Sequence, residues 1–411
     1  MTRRSFLQSA AKAILAMGFG GLFSPRSAFA ADGVQHLRQI VTAHPAKTRM
    51  IQWDSPQQLE NVRVEQRDSK GHITHTIPAY TYLAMDDEVQ FIYHGEIPAT
   101  AGSFYRIIHT AGATDWIPLL PIHEDGQVRA LLFSDSQCGE SYEVWETTYQ
   151  TAWKRHPNAD CAAIVGDLTD NGESAWHWRS FFEAMEPGTA LARHPHIPVL
   201  GNHEYYGLQW TAVPPVRYLK TFALPDNGSR DFRGHYYSFD LGSVHCIVLD
   251  TQFLEAEERG DTLKAEQMDW LRRDAATSAA PWKIVLMHKD ILAYGDYQPE
   301  QNRNDGISDV GQVFLDVFDE LGIDLVVSGH VHAYRRRRIR ARQTDEHGTL
   351  YLLTGPAGNQ YFDVRPEKFD IVAGPNPTPS NYLYMEADTQ HLHIRCETVN
   401  GTVLDTIDLH K

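Results

Sequence analysis

Hydrophobic and polar positions follow two different rhythms along this chain. From about His36 to Asp115 the apolar residues fall in short, strand-like segments: Met50-Ile51-Gln52-Trp53, Val62-Arg63-Val64-Glu65, Val89-Gln90-Phe91-Ile92-Tyr93 and Phe104-Tyr105-Arg106-Ile107-Ile108. Helical periodicity is almost missing there, and turn residues such as Ser69-Lys70-Gly71 separate the segments. The pattern predicts a small β-sandwich over 34–120, whose simplest role is to flank a second region. After Pro118-Leu119-Leu120-Pro121 the rhythm changes, and apolar runs alternate with helical stretches. Trp145, Tyr149, Ala152 and Trp153 recur at helical spacing, as do Met268, Leu271 and Ala275. Asp309 with Gln312 predicts a capping box ahead of Phe314, Val317 and Phe318. The second region, 125–411, therefore reads as α/β and closes on a hairpin at Asn400-Gly401.

The first thirty residues need a separate account. Arg3-Arg4 precede Ser5-Phe6-Leu7, an apolar stretch runs from Ala13 to Phe23, and Ala28-Phe29-Ala30 offers a small-residue cleavage site. That order predicts a twin-arginine-type signal peptide over 1–30 and an exported, periplasmic or secreted protein. The apolar stretch is too short and too rich in glycine to span a bilayer comfortably, so no stable membrane span is expected. Residues 1–30 hold four basic and no acidic residues, so their removal takes the formal charge from −16 to −20. An acidic body of this size repels a phosphate backbone, which excludes nucleic acid as a partner. Export permits disulfides, yet Cys161 and Cys246 sit inside apolar runs, so buried thiols are expected rather than a disulfide framework.

Chemistry enters at the ends of five apolar runs in the second region. They lead into Asp135-Ser136-Gln137, Gly166-Asp167, Gly201-Asn202-His203-Glu204, His288 and Gly329-His330-Val331-His332. Ligands of open α/β sheets gather outside the carboxyl ends of the strands, so these side chains can meet at one rim. Glycines before Asp167, Asn202 and His330 suit sharp exits from strands. His330 and His332, one residue apart, project to the same side of an extended segment and can serve two neighbouring metals. Oxygen and imidazole donors without thiolates suit Mn, Fe, Zn or Mg.

Singly these motifs are weak, but the ordered set resembles the calcineurin-like metallophosphoesterases over about Ala130 to Tyr334. The N-terminal part is similar to the sandwich of purple acid phosphatases through Pro98, Thr100, Tyr105 and Arg106, as are 235–240 and 329–334. The resemblance implies a fibronectin-III-like sandwich followed by a four-layer αββα metallophosphoesterase domain. It implies that Asp135, Gln137, Asp167 and His332 hold one metal ion and that Asp167, Asn202, His288 and His330 hold a second. Asp167 is then the bridge. The two ions would be divalent or of mixed valence, and a hydroxide bridging them would attack a small-molecule phosphate ester. His203 would stabilise developing charge or protonate the leaving group, with Asp170 orienting its ring.

Two positions depart from the pattern. Gln137 replaces the usual histidine of the first motif, which leaves the metal identity open. Asp170 stands where purple acid phosphatases carry the tyrosine that binds iron, so the purple label is not carried over. Arg335 to Arg338 read as a surface stripe, with one arginine at the rim as the functional alternative. Tyr294, Tyr297 and Arg303 are candidate pocket residues. The leading expectation is hydrolysis of a phosphomonoester; the alternatives are a phosphodiesterase acting on nucleotides or lipid head groups and a non-catalytic metal-binding surface module.

Overall fold

A computed structural model describes residues 32–85, 87–122, 126–295 and 305–411. The leader expected over 1–30 lies outside them, as do Tyr297 and Arg303.

Three sheets organise the described residues. The largest has ten strands, in the order 403–410, 391–398, 381–387, 128–133, 161–165, 195–199, 35–40, 48–55, 89–98 and 80–85. Its central strands Val128–Phe133, Cys161–Val165 and Pro195–Val199 are parallel and almost wholly buried. Burial on both faces is why they read as near-continuous apolar runs, interrupted only at Arg129 and His196, instead of alternating ones. A second sheet centres on Val244–Leu249, Trp282–Met287 and Leu325–Ser328, again parallel. Its alternate residues Val244, Cys246, Val248, Ile284, Leu286 and Val327 join the core of the first sheet. The residues between them, Ile247, Leu249, Val285, Met287 and Val326, share a different core with the helices Gly260–Thr277 and Asp309–Leu321. On the first sheet the helices Glu143–Arg155 and Ala175–Met185 supply Trp145 and Phe181, whose rings stack at 5.7 Å while Trp145 meets Phe133 edge-on at 5.2 Å.

A third, smaller sheet includes Arg63–Arg67 and Phe104–His109. It covers the N-terminal strands of the large sheet over a separate core of Leu37, Ile51, Trp53, Val64, Tyr93, Tyr105 and Ile107. The change of rhythm after residue 118 is not a break in hydrogen bonding. Gln35–Ile40 pairs in parallel with Pro195–Val199 and antiparallel with Thr48–Ser55, so one sheet runs through both regions. Buried polar groups cross the same junction. Gln39 Nε2 donates to the Ala192 carbonyl at 2.8 Å, and Arg38 donates to the Thr221 carbonyl at 3.0 Å while pairing with Asp54 at 2.9 Å.

Several local expectations need correction. The helix Asp309–Leu321 is capped by Ser308, whose Oγ accepts from the Gly311 amide at 3.0 Å, and Gln312 turns instead to Asp305 at 3.0 Å. The arginine run is no surface stripe: it forms the strand Arg335–Arg340, whose alternation leaves Arg335 and Arg337 at 0% exposure. Arg337 forks onto both oxygens of Asp290, which also accepts from Ser328 Oγ at 2.6 Å. Arg335 faces Asp370 at 3.4 Å and Arg336 faces Asp405 at 3.2 Å. Tyr294 lines a cavity of about 300 Å³, as expected of a pocket residue, but its hydroxyl is turned to Asp370, to which it donates at 2.9 Å. Cys138, Cys161, Cys246 and Cys396 are buried and free. No helix among the described residues is long and apolar enough to cross a membrane.

The Arg337–Asp290 pair generates a stability prediction. Arg337→Ala strands a carboxylate in a dry interior, and losing one partner of such a pair costs about 3 to 5 kcal/mol. Denaturant unfolding should register that loss. A change below about 1 kcal/mol, the range of exposed pairs, would show that the pair is solvated.

Candidate metal centre

The strand ends bring the expected ligands together. Asp135 follows Val128–Phe133, Asp167 follows Cys161–Val165, Asn202 follows Pro195–Val199, His288 follows Trp282–Met287, and His330 and His332 follow Leu325–Ser328. In two buried groups, Asp167 with His288 and His330, and Asp135 with Asp167 and His332, the candidate ligand atoms lie within 4.8 Å of one another. Asp167 belongs to both. Gln137 stands beside the second group, its Nε2 3.2 Å from His332 Nε2 and 3.5 Å from Asp167 Oδ2. Asn202 carries its amide next to Tyr206, Nδ2 donating to Tyr206 Oη at 3.4 Å. The oxygens Gln137 Oε1 and Asn202 Oδ1 are buried without a hydrogen-bond partner, the condition of a donor atom made for a cation.

The backbone is shaped around this cluster. Asp135, Asp167, His330 and His332 have φ of 57°, 50°, 75° and 56°, left-handed conformations that side-chain-bearing residues rarely adopt. Such strain costs on the order of 1 to 3 kcal/mol per residue and collects at functional sites. Gly166 has φ 82°, and a Cβ there would stand 2.3 Å from the His288 ring; a Cβ on Gly329 would stand 1.7 Å from Ser134 Oγ. At Gly329, then, room for the neighbouring loop is the requirement, and not a special dihedral.

Hydrogen bonds fix which ring nitrogens are available. His288 Nδ1 donates to the Val165 carbonyl at 2.9 Å, and His332 Nδ1 donates to the Gln360 carbonyl at 2.6 Å. A carbonyl only accepts, so each Nδ1 carries hydrogen and each Nε2 is turned inward. His288 Nε2 lies 3.0 Å from Asp167 Oδ2, and His332 Nε2 lies 3.3 Å from Asp135 Oδ1. Two electron pairs facing each other at such distances call for a cation between them, a proton or a metal ion. Burial works against the His288 imidazolium, but the charge and hydrogen bond of Asp167 outweigh it and hold the pKa up at about 9. Burial and the charge of His288 push His330 well below the ordinary range. Asp167 is held far down: burial opposes ionisation, and the charges of His288 and His203 overcome it. Carboxylate, amide and imidazole donors without thiolate fit a pair of hard or borderline divalent cations sharing Asp167.

Two further residues complete the centre, and the motif reading had given neither a role. Glu204 accepts from the amides of Gly201 at 2.8 Å, Leu168 at 2.9 Å, Asp167 at 3.1 Å and Thr169 at 3.2 Å, stapling the Gly-Asp loop to the Gly-Asn-His loop. Burial and the charge of Asp167 push its pKa up to about 7 against the pull of those donors. The available signal was a carboxylate two residues past Asn202, in a turn that a buried acid can only enter with several N–H partners. Gln360 lies in the irregular stretch after the strand Thr349–Leu353, where no pattern marks it. Its carbonyl holds His332, and its Nε2 donates to Asp170 Oδ1 at 2.7 Å. His203 Nδ1 donates to the backbone carbonyl of Asp170 at 2.7 Å, whereas the carboxylate stays 3.9 Å away. The orientation expected from the Asp170 carboxylate is thus supplied by its carbonyl. Tyr205 donates to Asp250 at 2.6 Å and is committed there.

Paired ligand groups at the strand ends of packed sheets form a candidate two-metal centre, and the likeness to known proteins makes the chain a metal-dependent phosphoric ester hydrolase. Residues 128–334 match the model of the calcineurin-like phosphoesterase family, and the chain belongs to that family, which implies a dinuclear metal site. Among curated relatives, it is 26% identical over 338 residues to purple acid phosphatase 18 of Arabidopsis thaliana, covering 79% of this chain and 71% of the relative. To purple acid phosphatase 22 of the same plant it is 27% identical over 235 residues, 53% of this chain and 49% of that one. Among solved structures, purple acid phosphatase PPD1 from yellow lupin (Lupinus luteus) superposes with a TM-score of 0.73 at 18% identity, over 92% of this chain and 74% of the lupin chain. That likeness is one of fold and supports a mixed α/β body with several sheets.

Two outcomes follow. Below pH 9 the metal-free His288 carries a proton that ligation must displace, so cation affinity should rise with pH up to about 9. Manganese titrations at pH 7 in buffers of different ionisation heat should show release on the order of one proton per protein; zero release would remove His288 from the ligand set. An iron-loaded sample should lack a visible tyrosinate charge-transfer band, because Asp170 replaces the phenol and Tyr205 is bound to Asp250. A purple sample would show that Tyr206 or another phenolate reaches the metal.

Proposed function

We propose that this protein is an exported phosphomonoesterase with a binuclear centre, in which Asp135, Gln137, Asp167 and His332 hold one ion and Asp167, Asn202, His288 and His330 the other. The observation that carries the reading is the sharing of buried Asp167 by two ligand groups, with His203 on their flank at 3.8 Å from Asp167 Oδ2. When bound, a pair of divalent cations supplies charge neutralisation and an activated water for in-line displacement at phosphorus.

His203 acts on the departing oxygen. Its Nδ1 is occupied by the Asp170 carbonyl, which leaves Nε2 to face the cluster. Burial disfavours the imidazolium, but in the metal-free protein the charges of Asp167 and Asp170 outweigh burial and raise its pKa; in the proposed role Nε2 carries the proton given to the departing oxygen. Gln360 steadies both ends of this arrangement, since one residue accepts from His332 and donates to Asp170. Residues 34–120 serve as a fibronectin-III-like sandwich beside the metallophosphoesterase domain, 125–411, and the twin-arginine leader carries the protein across the membrane. The purple acid phosphatase relatives support a monoester as substrate.

Comparing p-nitrophenyl phosphate with its bis ester tests the monoester assignment; preference for the bis ester would make the protein a diesterase. His203→Ala should leave both metals bound and depress turnover of an alkyl phosphate by about 10² to 10⁴. Turnover of p-nitrophenyl phosphate, whose leaving group needs little protonation, should fall much less. Asp170→Asn should move both rates the same way by smaller factors, since the carbonyl that holds His203 remains, and Gln360→Ala by less still, since its side chain acts only through Asp170. Loss of a metal in His203→Ala, or equal slowing of both esters, would exclude the proton-donor role.

A further inference from the structure

The wall on the His203 side of the centre is aromatic and reaches into solvent. His203 meets the Tyr206 ring edge-on at 5.2 Å, and Tyr206 meets the Trp210 ring at 6.4 Å. Tyr206 also accepts from Asn202 Nδ2 at 3.4 Å, so the row of rings starts at a candidate ligand and passes the leaving-group histidine. Trp210 ends it with 43% of its surface exposed, and Leu208 beside it is 38% exposed. An indole exposed to that extent presents a flat face on which a planar ring can stack.

The segment that carries Trp210 is fixed in place. Tyr206 and Ala212 form a bridge, Gly207 donates to the Thr211 carbonyl at 2.9 Å, and the Trp210 amide donates to the Gly207 carbonyl at 2.7 Å. It is tied to the loop beyond Asp170 as well: Asn171 Nδ2 donates to the Gly207 carbonyl at 2.8 Å, and the Leu208 amide donates to Glu173 at 3.0 Å. An aromatic surface held by the loops of the centre is preorganised for a ligand, because little freedom is lost on contact.

We propose that residues 206–212 form a leaving-group subsite in which Trp210, with Tyr206, stacks against a flat aromatic ring on the alcohol of the ester. This rests on the phosphomonoesterase reading. Trp210 lies one ring beyond Tyr206, so the preferred alcohol carries its ring a short spacer away from the ester oxygen. A second place for the alcohol exists on the His330 side, a cavity of about 300 Å³ walled by Phe253, Leu254, Leu292, Tyr294 and Val331. Its two lysines are both engaged, Lys289 by Glu255 and Lys264 by Asp261, each at 2.7 Å. That cavity also holds the rings of Phe253 and Tyr294, but the Tyr294 hydroxyl is committed to Asp370, whereas the row of rings at 206–212 starts against His203 itself.

The test compares kcat/KM of the metal-loaded protein for adenosine 5′-monophosphate and glycerol 3-phosphate. Both are monoesters of primary alcohols, so their ratio isolates recognition of the ring. The protein should prefer the nucleotide. Trp210→Ala should lower the ratio about tenfold, chiefly through KM, and Trp210→Phe should restore most of it. A ratio that Trp210→Ala does not move overturns the subsite. So does a ratio that falls with Leu254→Ala instead, which would seat the ring in the His330-side cavity. If neither monoester is turned over, the phosphomonoesterase reading fails, and calorimetry decides the subsite separately. Adenosine 5′-monophosphate binding about tenfold weaker in Trp210→Ala supports it, and equal binding overturns it.

Discussion

Asp167 is the constraint around which the molecule is arranged. One buried carboxylate belongs to both candidate ligand groups, so it must be reached from two sheets at once. Its left-handed backbone, the glycine before it and the glutamate that accepts from its amide are consequences of that demand. A charge in such a place is tolerable only with cations beside it, and His288 and His203 provide the nearest ones within the chain. The packing of two mixed sheets over a common core, each with parallel central strands, is what brings Cys161–Val165 and Trp282–Met287 close enough for their terminal residues to share a site. Stability and chemistry therefore draw on the same strands.

The sequence was legible where period and punctuation act over a few residues. The strand exits at Asp135, Asp167, Asn202, His288 and His330 could be named because a buried parallel strand must be an apolar run and must stop at a turn. It was illegible where meaning depends on a distant partner. Arg335 and Arg337 look solvated in a run of charges, yet on a strand they alternate inward to Asp370 and Asp290, carboxylates on other segments of the chain. Gln360 gave no warning at all, since its role rests on a main-chain carbonyl and an amide that find their partners only after folding. The capping of Asp309–Leu321 failed more mildly, by one residue, because Ser308 and Asp309 are both acceptable caps in sequence terms.

The histidines illustrate how orientation precedes coordination. His203, His288 and His332 each donate Nδ1–H to a main-chain carbonyl, from Asp170, Val165 and Gln360 respectively. Carbonyls cannot titrate, so the direction of each Nε2 is set independently of pH. A carboxylate in the same place would have coupled ring orientation to its own ionisation. The substitution of Asp170's carbonyl for its carboxylate as the partner of His203 is an instance of the same economy.

The parallel pairing of Gln35–Ile40 with Pro195–Val199 has a consequence for how the protein can be divided. Although the N-terminal region has its own core, it contributes an interior strand to the sheet that bears Asn202. Excising it would turn Pro195–Val199 into an edge and strip partners from a wholly buried strand, among them the His196 carbonyl that accepts from the Val41 amide. Such an edge recruits other chains. A soluble catalytic fragment obtained by cutting near residue 120 would need that edge covered, so the unit that folds and the unit that carries the ligands are not the same.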